Sequence, residues 1–517
     1  MSLKRVLFYF FICAIVGIMG GELMGAFLVR ASNNSLFVEQ KWIENNGYIG
    51  VPGLRLKDEI KNWQTYLKAG LLFSLSLGLA YGLFCGFFFI TIGSIKLVNK
   101  YLAFSPFVIL FIFYICTPGW QLIKPFGLFL IIIPIVCYFL LYKFFKFKPK
   151  INSYRKLLIN LICLFIFIFL THFLFSSYLT AQDFIRIRDK ILMQNEWGKK
   201  VSRFYYDYTL YSAEAIKSFS KKLQVPINID KNLNRDAEIE TIKKKFLAQD
   251  KFLFCDAPFS YSLRKTGNKI KLISSCPDIT VETDWESFIS DIDTFFDEFD
   301  KKTDTTKFLR FLIKISLFFL LPVFFLIVIF LFSLLFVHYL SLIFLKNERL
   351  IGHNTLIEAF MMIAILLCFL VFIKIRFTNP SSKITLEEHI EIITGKREGN
   401  RIGSIFSILE AEQKSKEKSI LKPYRKELLN MLQDEDALIR KWGIIFLKEI
   451  KYQGATKSLI LSLNDHDYDV AYNAARALGA LRSRQAIKPL LKKLEENNQW
   501  YFRLNAYCAL KKLGWKQ

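Results

Sequence analysis

The chain has 517 residues, of which 53% are hydrophobic and 53 are Phe, and its mean hydropathy is +0.30. This composition excludes an ordinary soluble globular protein and indicates a polytopic membrane protein. The formal net charge is +25, but Lys and Arg are spread through loops and flanks rather than gathered with aromatics in one module. The pattern therefore argues against nucleic-acid binding and favours anionic membrane lipid as the counterpart of this charge.

Seven apolar stretches are long enough to cross a bilayer, which takes about 20 residues of helix. The first is too long for the apolar core of a signal peptide and lacks a cleavage site, so we interpret it as a helix. The sequence thus predicts a mainly α fold, a helical membrane bundle with five spans in residues 1–178 and two in residues 311–376. The seven stretches are 6–29, 69–95, 102–117, 126–142, 157–178, 311–340 and 356–373.

Basic residues indicate the orientation of the bundle. Six of them crowd the loop between the fourth and fifth stretches, namely Lys143, Lys146, Lys148, Lys150, Arg155 and Lys156. Positively charged loops stay in the cytoplasm, so this loop is predicted inside. Counting crossings from it places the N-terminus inside and residues 31–68 and 179–310 outside. We expect a multi-pass protein of a bacterial inner (cytoplasmic) membrane.

The same count produces a conflict at the seventh stretch. Lys346 and Arg349 precede it, Lys374 and Arg376 follow it, and both pairs favour the cytoplasm. Either the C-terminal region lies outside, or residues 356–373, which include Glu358, do not cross fully. The first interpretation is favoured.

Residues 179–310 are long enough for a core of their own. An aromatic-rich helical segment, with a tyrosine cluster that includes Tyr206, precedes a polar stretch and a charged helix. Short strands at 252–255, 261–264 and 270–273, with a Thr266-Gly267-Asn268 turn, predict an antiparallel hairpin. An amphipathic helix over 285–299 completes a small extracytoplasmic α+β domain. The tyrosines are interpreted as core rather than as a ligand platform.

Cysteine positions fit this location. Cys255 and Cys276 flank the predicted hairpin, and outside the cytoplasm they could form a disulfide. A pair of free thiols is the alternative.

One acidic residue lies inside an apolar stretch, where burial is costly. Glu22 stands among Gly17, Gly20, Gly21 and Gly25, and small residues at this spacing let a second helix approach closely. Its carboxylate could serve a proton or cation path, or it could be hydrated near the outer interface. The second interpretation is favoured.

Enzyme signatures are missing from the sequence. The five His form no H-E-x-x-H pair, and neither a G-x-S-x-G elbow, a phosphate-binding loop nor a G-x-G-x-x-G turn occurs. We therefore predict no catalytic, cofactor or metal-binding residues and expect a protein that is not an enzyme.

Residues 377–421 read as a linker with short helices, and three copies of one pattern follow in residues 422–517. Leu428, Leu459 and Leu490 recur at a period of about 31 residues, which is typical of stacked helix hairpins. Each copy has a polar turn between its two helices, and a small residue in the second helix permits close packing. The small residues are Gly443, Ala474 and Ala506.

The middle copy contains Asp469-Val470 followed by Ala474-Ala475-Arg476-Ala477-Leu478-Gly479. It resembles the HEAT-like repeats of the phycobilisome-lyase type, which have an Asp-Val-Arg turn and an Ala-Ala-x-Ala-Leu-Gly helix. The usual Arg is Ala471 here, whereas Arg440 and Arg503 occupy that place in the flanking copies. The resemblance covers the last fifth of the chain and implies an α-solenoid and protein contacts, not lyase activity. The whole arrangement also resembles bacterial membrane proteins that carry HEAT repeats, which adds no mechanism.

Two functions are compatible with these features. The first is a membrane-anchored scaffold or assembly protein whose repeats bind partner proteins. The alternative is a transporter or intramembrane enzyme that uses Glu22. Expected exposed contact positions in the repeats are Trp442, Tyr472, Arg476 and Trp500, although a core position is the alternative, above all for Trp442. Neither the partner nor the oligomeric state follows from the sequence.

Overall fold

A computed structural model describes residues 3–51, 61–93, 100–117, 123–144, 193, 195–229, 236–248, 251–254, 261–275, 278–324, 384–414, 419–497 and 499–517. It divides into two compact units, Met1–Ile168 with Tyr208–Met362 and Phe169–Asp207 with Ile363–Gln517. The fifth and seventh predicted spans and both cysteines of the predicted disulfide, Cys255 and Cys276, lie outside the described residues.

The first unit begins with apolar helices. These are α1 (Leu3–Asn45), α2 (Trp63–Phe73), which continues through a π-helical turn into α3 (Leu79–Gly93), α4 (Ser105–Ile115) and α5 (Lys124–Tyr138). Within the described residues, three stretches are long and apolar enough to cross a membrane, Phe8–Asn45, Trp63–Ile90 and Lys124–Tyr142, and Leu102–Ile115 is shorter. They coincide with the first, second and fourth predicted spans, and with the third as the shorter helix.

Glycines bring α1 against the helix formed by α2 and α3. Gly17, Gly21 and Gly25 of α1 face Gly70, Gly78 and Gly82. A Cβ atom on Gly17 would lie 2.2 Å from the carbonyl oxygen of Gly78, and one on Gly82 would lie 2.2 Å from the carbonyl oxygen of Cys13. The interpretation of the α1 glycines as a close-approach surface is therefore confirmed.

The α+β part comprises α6 (Glu196–Ala215), β1 (Val225–Ile229), α7 (Asp236–Ala248), β2 (Phe252–Phe254), β3 (Tyr261–Thr266), β4 (Lys269–Ser275), β5 (Asp278–Asp284), α8 (Trp285–Ser290) and α9 (Ile292–Thr303). The division between the two units falls inside α6. The five strands form one mixed sheet in the order β2-β1-β3-β4-β5, with β1 parallel to both of its neighbours. Phe246, Phe288 and Phe299 are fully buried in the core between the sheet and its helices.

The predicted hairpin is confirmed for β3 and β4, whereas residues 252–254, which the sequence assigned to it, form β2 and pair in parallel with β1. β3 and β4 pair antiparallel with Thr266 opposite Lys269, so Gly267 and Asn268 form the turn. Gly267 has φ +61°, a conformation that favours glycine. The helix predicted over 285–299 is instead two helices, because the side chain of Asp291 caps α9 by accepting a hydrogen bond from the backbone N–H of Thr294 at 3.1 Å.

The end of α1 docks on this domain. The Tyr48 hydroxyl donates to the carbonyl of Phe254 at 3.3 Å, and the Val51 N–H donates to Gln224 Oε1 at 2.9 Å. Lys222 Nζ pairs with Glu39 Oε1 at 2.9 Å. Two regions that the sequence places outside, residues 31–68 and 179–310, are thus in contact. The chain then enters α10 (Lys307–Ile315), and residues 311–324 of the sixth predicted span are helical.

The second unit consists of helix hairpins. They are formed by α11 (Leu386–Ile393) with α12 (Arg401–Lys414), α13 (Arg425–Asn430) with α14 (Ala437–Glu449), α15 (Thr456–Ser462) with α16 (Tyr468–Ala480), and α17 (Ile487–Glu496) with α18 (Trp500–Lys512). The second helices α14, α16 and α18 pack side by side in chain order. Leu428, Leu459 and Leu490 are fully buried, as expected from the recurring pattern.

Candidate functional site in the helical repeats

The three inter-helix turns share one hydrogen-bond pattern. Asp434 Oδ1 accepts from the N–H of Asp436 at 2.9 Å, and Asp465 Oδ1 accepts from the N–H of Asp467 at 2.9 Å. In the third copy, Asn497 Oδ1 accepts from the N–H two residues later at 2.8 Å. A short Asp or Asn side chain closes such a turn on its own backbone, so the turn geometry needs no charge at this position.

In two of the three copies, the residue two positions after the Asp of the turn caps the following helix. Asp436 accepts from the N–H of Leu438 at 2.9 Å, and Asp467 accepts from the N–H of Asp469 at 2.9 Å. In the third copy the N-cap is Gln499, whose longer side chain makes no cap hydrogen bond. Its Nε2 and Oε1 atoms are buried, and no described residue pairs with them.

Arginine side chains connect successive hairpins. Arg401 at the start of α12 binds Asp434, with Nη1 and Oδ1 3.1 Å apart. Arg440 in α14 binds Asp465 through Nε and Nη2 at 2.7 and 2.8 Å, and its Nη1 donates to the carbonyls of Asp434 and Glu435. The hydrogen bond to Asp465 raises the pKa of Arg440 above its ordinary value. Such bidentate pairs fix the register between neighbouring helices.

The Arg–Asp pair that would connect the second and third copies is missing, because both of its residues are replaced. Ala471 stands where Arg440 stands in the preceding copy, and Asn497 stands where Asp465 does. Because an Asp without its Arg would leave a carboxylate unpaired in a partly buried turn, the two departures compensate one another.

Three of the four predicted contact residues are not available to a partner. Trp442 is 5% exposed, Tyr472 8% and Trp500 6%, so the expectation that they are exposed is wrong. The Trp442 ring packs edge-on against Phe406 of α12, with ring centroids 5.6 Å apart. This neighbour lies in the segment that the sequence indicates as a linker. Arg476 is exposed.

Tyr472 belongs to a cluster of three rings that includes a residue of α6. Tyr206 lies 5.6 Å from Tyr472 and 4.9 Å from Tyr501 between ring centroids, and the Tyr206 and Tyr472 hydroxyl oxygens are 3.3 Å apart. Burial and the negative charge of Asp469 raise the pKa of Tyr206. For Tyr206, the interpretation of the tyrosines as core is confirmed.

A groove of about 710 Å³ opens where α14 and α16 begin. The described part of its wall includes four carboxylates and one cation, Lys199 of α6; the carboxylates are those of Glu435, Asp436, Asp467 and Asp469. The described lining also includes apolar atoms, from Met193, Ile402, Ala437 and Leu438. The groove is therefore acidic and of the size at which proteins bind small ligands or side chains.

Asp469 is the buried member of this group, with only 6% of its surface exposed. Its Oδ2 atom lies 3.8 Å from Lys441 Nζ, at the limit of an ion pair. Among the described residues none donates a hydrogen bond to its Oδ1 atom. Burial, and next the charge of Asp469, raise the pKa of Asp467. No cluster of three potential metal ligands occurs in the described part of the chain.

Glu22 lies in α1 and is partly buried. Its Oε2 atom is enclosed, without a hydrogen-bond partner among the described residues. Its Oε1 atom is 3.1 Å from where a Cβ atom on Gly70 would be, so the carboxylate faces the glycine-lined contact between helices. The sequence signal for this placement was the glycine spacing around Glu22.

Comparison with known families matches residues 456–516 to the family described as HEAT repeats. The match covers α15 to α18 and identifies the C-terminal region as HEAT-like. A separate search of curated proteins finds no match to the chain. Sequence reasoning found the repeats but missed the acidic groove, whose only advance signal was the run of acidic residues in the turns.

Proposed function

We propose that the protein is a membrane-anchored scaffold that binds partner proteins through its HEAT-like repeats. The observation that supports this most directly is the HEAT match over residues 456–516, because HEAT repeats are commonly protein-interaction modules. In the part of the chain that the structure describes, three helices are long and apolar enough to cross a membrane, which is consistent with the anchor. The role is one of binding rather than catalysis.

We also propose that the repeats and residues 196–207 share one compartment. Tyr206 packs against Tyr472 and Tyr501 of the repeats. The helix that includes Tyr206, Glu196–Ala215, is too rich in charged residues to cross a bilayer. If residues 179–310 are extracytoplasmic, as the basic loops indicate, the repeats are extracytoplasmic as well. This favours the first of the two interpretations of the C-terminal topology.

The scaffold proposal is tested by affinity capture from solubilised membranes. The full chain is compared with a chain that lacks residues 422–517 and with Arg476→Glu, which reverses an exposed charge on α16. Proteins captured by the full chain should be lost on deletion and reduced by Arg476→Glu. A matched control is Arg482→Glu, a change of equal charge in the loop that follows α16. Capture that is indifferent to the deletion contradicts the proposal.

The topology is tested by a reporter fused after Gln517. A reporter active only outside the cytoplasm should be active at this position and also when it is inserted at Asn195, immediately before α6. Opposite results at the two positions contradict a shared compartment.

A transport function is the second candidate, and the enclosed Oε2 atom of Glu22 is the observation that favours it. A carboxylate between closely packed helices could bind a proton or cation. Glu22→Gln keeps the shape of the side chain and removes its charge. If cells expressing Glu22→Gln behave as wild type while the deletion of 422–517 causes a defect, the transport idea fails.

A further inference from the structure

We infer that the acidic groove at the start of α14 and α16 binds a lysine- or arginine-bearing segment of a partner protein. This inference rests on the scaffold function and specifies the chemistry of the contact. The carboxylates of Glu435, Asp436, Asp467 and Asp469 would receive the cationic side chains.

Charge is the first argument. Among the described residues, four carboxylates line the groove against one ammonium group, that of Lys199, and Lys441 Nζ lies 3.8 Å from Asp469 Oδ2. Lys199 is itself paired with Glu196, at 3.1 Å. The N-termini of α14 and α16 add about half a positive charge each, which Asp436 and Asp467 offset as N-caps. The groove therefore keeps a negative excess that a cation would neutralise.

The buried carboxylate is the second argument, and it is independent of the number of acids. Asp469 is 94% enclosed, yet only one of its oxygens has a cation near it, at 3.8 Å. The other oxygen lacks a donor among the described residues. A buried carboxylate with one oxygen that lacks a donor is costly. Because Asp469 also lines the groove, a guanidinium or ammonium group bound there would stabilise its negative charge. Binding of the same cation would also reduce the electrostatic repulsion between Asp467 and Asp469.

Size and donor chemistry decide between cations. The volume of about 710 Å³ exceeds what one small ion needs and suits a short peptide stretch. The described carboxylates form no metal-binding cluster, so an organic cation fits better than a metal ion. Apolar lining from Met193, Ile402 and Leu438 would contact the methylene groups of a lysine or arginine side chain.

The test uses the full chain in neutral detergent and a fluorescein-labelled peptide of four Arg-Gly repeats. Binding is followed by fluorescence anisotropy, with a Glu-Gly peptide as the control for charge. We expect the Arg-Gly peptide to bind wild type and the Glu-Gly peptide not to bind. Asp469→Asn should weaken binding about tenfold or more, since each buried charge pair contributes more than about 1.4 kcal/mol.

A second variant keeps the test valid if Asp469→Asn disturbs the fold through the loss of the Lys441 partner. Asp436→Asn combined with Asp467→Asn retains both N-caps, because Asn caps helices as well as Asp does. It should weaken binding about tenfold. Glu496→Gln removes one exposed carboxylate from the repeats outside the groove and should change the affinity less than about twofold. Hydrogen exchange of residues 437–480 checks that each variant is folded.

Three results would overturn the inference: no binding of the Arg-Gly peptide to wild type, equal binding to both groove variants, or displacement of the peptide by spermidine at equal concentration. The two proposals fail separately. If deletion of 422–517 abolishes partner capture while the groove variants bind as wild type does, the scaffold stands and the groove assignment falls. If the peptide binds the groove but the deletion leaves capture unchanged, the scaffold falls.

Discussion

Removing the Arg440–Asp465 pair should loosen the contact between the first and second repeats. Arg440→Ala deletes two charge-assisted hydrogen bonds to Asp465 and two more to main-chain carbonyls. The side chains are 17% and 11% exposed, so solvent screens the pair only in part. Hydrogen bonds to charged groups contribute about 1.5–3 kcal/mol. Allowing for this screening, we expect a coupling of about 2 kcal/mol between the two residues.

The assay is hydrogen exchange, measured by mass spectrometry on the full chain in detergent, because a chain of two compact units is not expected to unfold in a single two-state step. A loss of about 2 kcal/mol lowers the protection of amides in 437–480 about 30-fold. Asp465→Asn is the partner variant, since Asn497 shows that Asn closes the same turn. The double variant should lose little more stability than Arg440→Ala alone. If instead the stability lost in the double variant equals the sum of the two single losses to within about 0.5 kcal/mol, the coupling is refuted.

The absent third pair offers the converse experiment. Ala471→Arg together with Asn497→Asp should rebuild the pair between the second and third repeats, with the two changes more favourable together than their separate effects predict. Each change alone leaves a charge without its partner and should be neutral or destabilising. The same exchange measurement on residues 468–512 decides it, and strict additivity would show that the two positions do not meet.

Three further predictions concern other parts of the chain. Gln499→Asp should supply the missing N-cap and raise the exchange protection of α18 about fivefold, or about 1 kcal/mol. The control is Gln499→Ala, which removes the amide that no described residue pairs with and adds no cap. Equal protection of α18 in the two variants would contradict the cap argument. Burial lowers the pKa of His389, against a smaller opposing effect of Glu388. The neutral ring therefore contributes stability above the ordinary pKa of 6.5, and this stability is lost as the pH falls below that value. Hydrogen exchange in α11 and α12 should accelerate below that pH beyond its intrinsic pH dependence, and His389→Asn should flatten this dependence of exchange on pH. Gly17→Ala forces α1 away from Gly78. This change should lower the temperature at which the buried thiols of Cys13, Cys85 and Cys137 react with a fluorogenic maleimide. The control Met19→Ala, on the exposed face of α1, should leave this temperature unchanged.

The β-strands show where local pattern was insufficient. Sequence reasoning found the β3–β4 hairpin, because alternation and a glycine turn are local signals. It missed β1, which contains Pro226 and lies between two neighbours in the sheet. Pro226 is tolerated there because that part of β1 pairs only with β2, and pairing with β3 begins at Asn228. The offset between the β1–β2 pairing and the β1–β3 pairing depends on how distant strands come together, so local sequence does not show it.

The repeats show the same division for the candidate site. The periodic leucines, the small residues of the second helices and the acidic turns are legible in the sequence, since each reflects contacts within one hairpin. Whether Trp442 faces solvent depends on Phe406, a residue of the preceding hairpin. The burial of Asp469 depends on packing between hairpins and on α6, more than 250 residues earlier in the chain.

By itself, the sequence determined the apolar helices of membrane-spanning length, the glycine face of α1 and the HEAT-like repeats, because apolar length and periodicity depend on neighbouring residues. Only the tertiary structure decided which repeat side chains are exposed. It alone revealed the groove, whose four described carboxylates lie at the start of α14 and at the start of α16. The physical reason is that burial and electrostatic environment are set by residues distant in the chain, and no local pattern records which of them meet.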